Sequence, residues 1–111
     1  MPVRYELILT DPYERFEILS GTELRSLSDR YYIFRSEDGR YWLLSNYLIG
    51  FSIGDVHRGI RVSVHVARIP SLSTELLRRL ERGGHEVTAL VQEGKVEPYA
   101  IGDIRLVEQN E

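Results

Sequence analysis

Residues 30–44 read Arg-Tyr-Tyr-Ile-Phe-Arg-Ser-Glu-Asp-Gly-Arg-Tyr-Trp-Leu-Leu, two aromatic and β-branched runs on either side of an Asp-Gly pair. That pattern demands a hairpin. Asp-Gly suits a two-residue type I′ turn, because both central positions need positive φ. Built on that turn, the ladder pairs Ser36 with Tyr41, Arg35 with Trp42, Phe34 with Leu43 and Ile33 with Leu44. One face then carries Tyr32, Phe34, Tyr41 and Leu43, and the other Tyr31, Ile33, Arg35, Trp42 and Leu44. Both faces are apolar, whereas a half-exposed antiparallel hairpin has a single apolar face. Something must cover the second face: another element of the chain, a second subunit or a partner.

The rest of the chain is also strand-rich. Residues 3–10 alternate in the strand period, and Asp11-Pro12 marks a turn. Residues 15–19 form a second short strand with Phe16 and Ile18 on one face. Thr22 is placed to cap one helical turn through Leu27. Residues 47–53 read as a strand with a bend at Gly50, and 54–59 as a loop. Residues 60–69 alternate cleanly, with Ile60, Val62, Val64 and Val66 inward. The one clear helix spans about 73–82. Ser73 is its N-cap, Leu72 and Leu77 form a hydrophobic staple, and Leu76, Leu77 and Leu80 form the buried stripe. Gly83-Gly84 ends it, residues 87–91 begin a strand, Glu93-Gly94-Lys95 turns the chain, and 104–107 is the last strand. About seven short strands, mostly antiparallel, with this helix make an α+β domain or a small partly open barrel. Residues 60–91 fit either one βαβ unit or an antiparallel return.

Composition narrows the class. The 111 residues suit one domain. Hydrophobic residues are 42% and charged residues 28%, too apolar for a disordered chain, although 108–111 have the composition of a disordered tail. No apolar run approaches the ~20 residues of a membrane span, and Met1-Pro2-Val3-Arg4 lacks a signal-peptide pattern, so the expected location is the cytoplasm. The absence of cysteine removes disulfides, thiolate zinc sites and Cys nucleophiles. A net charge of −3 disfavours a general attraction to nucleic acid but permits a local basic patch. Thirteen arginines beside a single lysine, Lys95, fit either a heat-tolerant protein or a GC-rich genome.

Chemistry-bearing motifs are absent. His57, His65 and His85 have no metal-ligand spacing, and there is no nucleophile elbow, Ser-x-x-Lys, phosphate loop or dinucleotide fingerprint. No cofactor is expected, and an enzyme here would need a site that no motif reveals. The arginines Arg78, Arg79 and Arg82 on the helix, with Arg61 and Arg68 nearby in sequence, can contact phosphates, and Tyr31, Tyr41 and Trp42 can stack on bases. The plainer reading of the same arginines is a solvated face paired with Glu75 and Glu81.

Ala67-Arg68-Ile69-Pro70, then Glu75-Leu76-Leu77-Arg78-Arg79-Leu80-Glu81-Arg82-Gly83 and Val87-Thr88-Ala89-Leu90-Val91, are similar to the C-terminal half of HIRAN domains. The family's upstream Asn-Pro-x-Asp-type segment has no counterpart. The resemblance across 67–91 implies a small β-rich fold linked to DNA processing. The residues themselves favour a non-enzymatic interaction or regulatory module. Its surface would be the hairpin residues Tyr31, Tyr32, Arg35, Tyr41 and Trp42, since Tyr, Trp and Arg dominate interface hot spots. Tyr32 and Tyr41 are the pair expected near the surface, and the partner would be another protein or a second copy in a homodimer. The alternatives are a single-stranded nucleic-acid module using the arginine stripe, and the motif-less enzyme.

Overall fold

The computed structural model describes residues 3–10, 16–27, 30–46 and 53–107. In chain order they form β1 (Arg4–Thr10), β2 (Phe16–Gly21), β3 (Glu23–Ser26), β4 (Tyr31–Arg35), β5 (Tyr41–Asn46), α1 (Ile53–His57), β6 (Val62–Ile69), α2 (Thr74–Glu81), α3 (Gly84–Gln92) and β7 (Glu97–Val107). The strands make one antiparallel sheet in the order β2-β1-β7-β6-β5-β4-β3. The two edge strands are neighbours in sequence, joined by Thr22 alone, so the sheet must curl into a half-barrel. Its edges meet at Gly21, and the Glu37 N–H donates to the Ser20 carbonyl at 2.8 Å. The α+β, partly open barrel expected from the strand count is the observed architecture.

Strand alternation splits the apolar residues between two cores. The inner face gathers Tyr5, Leu7, Leu9, Phe34, Trp42, Leu44, Val62, Val64, Val66 and Ile104, closed by Val56 from α1. The outer face packs Ile33, Leu43 and Ile69 under Leu76 and Leu80 of α2 and Leu90 of α3. Ser73 caps α2 as expected, its hydroxyl accepting from the Leu76 N–H at 3.1 Å.

The hairpin differs by one residue, with large consequences. Its loop is Glu37-Asp38-Gly39: Gly39 N–H donates to Ser36 O at 2.9 Å, and Ser36 N–H donates to Arg40 O at 3.0 Å. Gly39 alone needs the glycine conformation here for the three-residue loop, with φ 87°. The Asp38 carboxylate accepts from the Ser36 hydroxyl, from Arg40 N–H at 3.2 Å and from Arg40 Nε at 2.7 Å, which favours this longer loop. The register becomes Arg35–Tyr41, Phe34–Trp42, Ile33–Leu43 and Tyr32–Leu44. A one-residue slip exchanges the faces of one strand. Trp42 and Leu44 therefore join Tyr32 and Phe34 inside, and Tyr41 and Leu43 join Tyr31 and Ile33 outside.

Four further expectations change. Residues 23–26 are an edge strand rather than a helical turn, because ladder bonds to β4 outweigh a single costly turn. Residues 53–57 are helix α1, and the remainder of the expected strand, 47–52, lies outside the described residues, as does the tail 108–111. Ile60 precedes β6 and is exposed rather than inward. Residues 87–91 belong to α3: Val87, Leu90 and Val91 sit at helical i, i+3, i+4 spacing, and burial of Leu90 overrides the β-branched preference. The connection from β6 through α2 and α3 thus returns antiparallel to β7, not as a βαβ unit.

Candidate interaction surface

Cross-strand partners share a face, so the register defines rows across the outside of the sheet. One row runs Phe16 (β2), Thr10 (β1), Ile101 (β7), His65 (β6), Ser45 (β5), Tyr31 (β4). Helices α2 and α3 cover its β4–β6 end. Toward the β2–β1–β7 end the outer face is mixed: Ile8, between Ile18 and Asp103, is buried, while its neighbours stand out. There Phe16 is 70% exposed, Ile18 55% and Ile101 49%, and Val91 on the flank of α3 is 37% exposed. Between α3 and the sheet runs a groove of about 480 Å³, lined chiefly by Tyr31, Leu43, His65, Ala67, Val87, Val91 and Ile101. A second recess of about 310 Å³ lies beside the N-terminus of α2, lined by Pro70, Ser71, Arg79 and Lys95 among others.

Among the described residues, the charges around this face are paired. Asp103 accepts from Arg61 Nε at 2.8 Å and from the Ser63 hydroxyl at 2.9 Å. Glu6 accepts two bonds from Arg105, at 2.9 and 2.6 Å. Across the helical hairpin, Arg79 reaches Glu86 at 2.9 Å and clamps Glu93 in bidentate fashion at 2.9 and 2.6 Å. That clamp holds the Glu93 carboxyl down to about 2 and raises the Arg79 guanidinium. The described residues of the face thus present apolar bulk flanked by paired charges.

No known protein family matches this chain, and no curated protein or solved structure does either. Within the segment that resembles HIRAN domains, Val87-Thr88-Ala89-Leu90-Val91 is helical rather than a strand.

The residues singled out in the hairpin are placed differently from the expectation. Trp42 is 0% exposed; its indole N–H donates to the Ser36 hydroxyl at 3.3 Å, and Tyr99 packs edge-on against it at 5.3 Å. Tyr32 is buried on the same inner face. Tyr31 and Tyr41 are half-buried against the core beneath the helices. Arg35 is exposed, 5.9 Å from the Tyr41 ring and 3.5 Å from Glu23. Tyr32 and Trp42 are thus enclosed by the inner core, while Tyr31 and Tyr41 keep part of their surface on the outer side.

The arginine stripe is likewise largely committed. Arg61 is held by Asp103, Arg79 by Glu86 and Glu93, and Arg82 lies 3.9 Å from Glu86, while Arg78 is exposed. The histidines are dispersed: His57 Nε2 lies 2.7 Å from the buried Tyr5 hydroxyl, whose pKa burial raises, His65 sits in the outer row, and His85 is in α3. Among the described residues no three His, Asp or Glu side chains are grouped to hold a metal ion, and no helix is long and apolar enough to cross a membrane.

Sequence reasoning passed over Ile101 and Val91, and read Phe16 and Ile18 only as a strand face. A signal for the latter pair existed: 16 and 18 alternate against Glu17 and Leu19, and Leu19 alone is needed by the inner core.

Proposed function

We propose that this chain is a small non-enzymatic protein-interaction module whose docking surface is the exposed apolar part of the outer face across β2, β1 and β7. One observation carries the reading: Phe16 and Ile18, two large apolar side chains on an edge strand, project from the same face as Ile101 and the apolar groove beside α3. Contiguous exposed apolar patches on small proteins are characteristically binding surfaces. The paired charges around this face leave shape and apolar area as the basis of recognition. A single-stranded nucleic-acid role would call on free arginines, and Arg61, Arg79 and Arg82 are each engaged by a carboxylate.

The test is capture from a native extract on immobilised protein, with and without nuclease, comparing the natural chain with Phe16→Asp. Retention of a protein that resists nuclease and is lost from the variant is the expected result. Equal retention by both, or release by nuclease, would overturn the reading.

A further inference from the structure

We infer that the occupant of this face is a second copy of the chain, docked face to face about a twofold axis that lies in the plane of contact and runs parallel to the strands between β1 and β7, with Phe16 of each copy entering the groove beside α3 of the other. The inference rests on the interaction reading above and names its partner.

Three observations lead to it. The first is shape. Helices α2 and α3 stand on the β4–β6 part of the outer face, and Phe16 and Ile18 of β2 and Ile101 of β7 are exposed beyond them, so the surface is a step. A projecting ring, Phe16, lies at the low end, and the groove lined by His65, Ala67, Val87 and Val91 lies at the foot of the raised end. The ring and the groove occupy the same cross-strand row, and β2 and β6 are three strand spacings apart, about 14 Å. A twofold axis between them exchanges ring and groove, and so buries both by one self-complementary contact.

The second is area. Phe16, Ile18, Ile101 and Val91 form a patch on the order of 300–600 Å², the size of the largest apolar patch on a typical monomer. Two copies bury roughly twice that apolar area, and with apolar atoms at ~60% of an interface the total comes to roughly 1,000–2,000 Å², the range of stable specific contacts.

The third is charge. Asp103 with Arg61 and Glu6 with Arg105 are neutralised within one copy, so two identical faces meet without like-charge repulsion.

The chain has no cysteine, which makes a direct test possible. Phe16→Cys and Val91→Cys are prepared as separate variants, both at exposed sites where folding is undisturbed, and mixed in equal amounts under oxidising conditions. The proposed contact brings residue 16 of one copy against residue 91 of the other, so the mixture forms a covalent dimer and neither variant alone does so to a comparable extent. In parallel, the natural chain at micromolar concentration sediments at twice its 12.9 kDa mass. Phe16→Asp weakens association by at least ~100-fold, because the carboxylate is buried without a partner. A natural chain that stays at the monomer mass, a dimer indifferent to Phe16→Asp, or Phe16→Cys cross-linking to itself as well as the mixture does, would each overturn the proposal. A monomer from which Phe16→Asp still removes a captured protein ends self-association and leaves the interaction reading standing. A monomer whose captured proteins ignore that substitution ends both.

Discussion

Gly21 sits where β2 reaches the β4–β5 hairpin, and a side chain there has nowhere to go. A Cβ would overlap the Arg35 carbonyl oxygen and stand 2.9 Å from the Phe34 ring. Backbone oxygen cannot retreat without breaking the ladder, so Gly21→Ala is expected to destabilise the domain by about 1–3 kcal/mol, read from the urea midpoint. An unchanged midpoint would mean that the half-barrel is not closed at this point. Gly39 makes the opposite case. A Cβ there meets open space, but φ is 87°, so the penalty is conformational rather than steric contact with neighbours. Gly39→Val is expected to cost at least ~1–2 kcal/mol for the left-handed backbone it must keep. Equal stability of Gly39→Val and the natural chain would reject the three-residue loop.

At the scale of elements, α2 and α3 act as one unit laid on the outer face. Leu80 is completely buried between α2 and the sheet, so Leu80→Ala is expected to lose about 2–5 kcal/mol, with unfolding monitored by circular dichroism. A loss below ~0.5 kcal/mol would mean that the helices rest on the sheet without being needed by it. The two helices are tied by Arg79 to Glu86 and Glu93. Because the folded Glu93 carboxyl is lowered to about 2 from 4.5, its contribution is complete above the unfolded value and disappears as pH falls through the folded one. Arg79→Met should therefore lower the urea midpoint at neutral pH. The gap from the natural chain should narrow as pH falls from about 4.5 toward 2. A gap that is constant across that window would show the clamp to be irrelevant to folding.

At the scale of the molecule, the sheet joins residues far apart in sequence: Arg4 pairs with Val107 at one end of β1, and β7 is the strand that holds β1 to β6. Long-range pairing of this kind must be closed before it is rewarded, so refolding is expected in milliseconds to seconds rather than microseconds. Removal of Glu97–Val107 takes out a central strand together with Ile104 of the inner core and the Leu106 and Tyr99 side chains packed against it. The shortened chain is expected to lose its near-ultraviolet circular dichroism entirely. Retention of that signal would show that β1 and β6 can pair without β7.

Much of this was written locally. The alternation of Val62, Val64 and Val66, the cap at Ser73 and the Leu76–Leu80 spacing each dictate an element through neighbours one helical turn or less away, and all three stand as the pattern predicts. The α+β class and the mainly antiparallel strands follow from such local signals, while the edge strand Glu23–Ser26 and the helix over 87–91 do not. Nor does the surface. Whether Trp42 faces the core or a partner depends on one residue of hairpin register, decided by the bonds of Asp38 to Ser36 and Arg40. Whether 87–91 is a strand or a helix depends on the pit that Leu90 fills beside Leu80. And whether Phe16 and Ile18 are buried depends on which part of the sheet α2 and α3 cover, a fact about strand order. Periodicity records which residues share a face; only tertiary packing decides which face meets water, because burial is a property of what lies opposite and not of the chain itself.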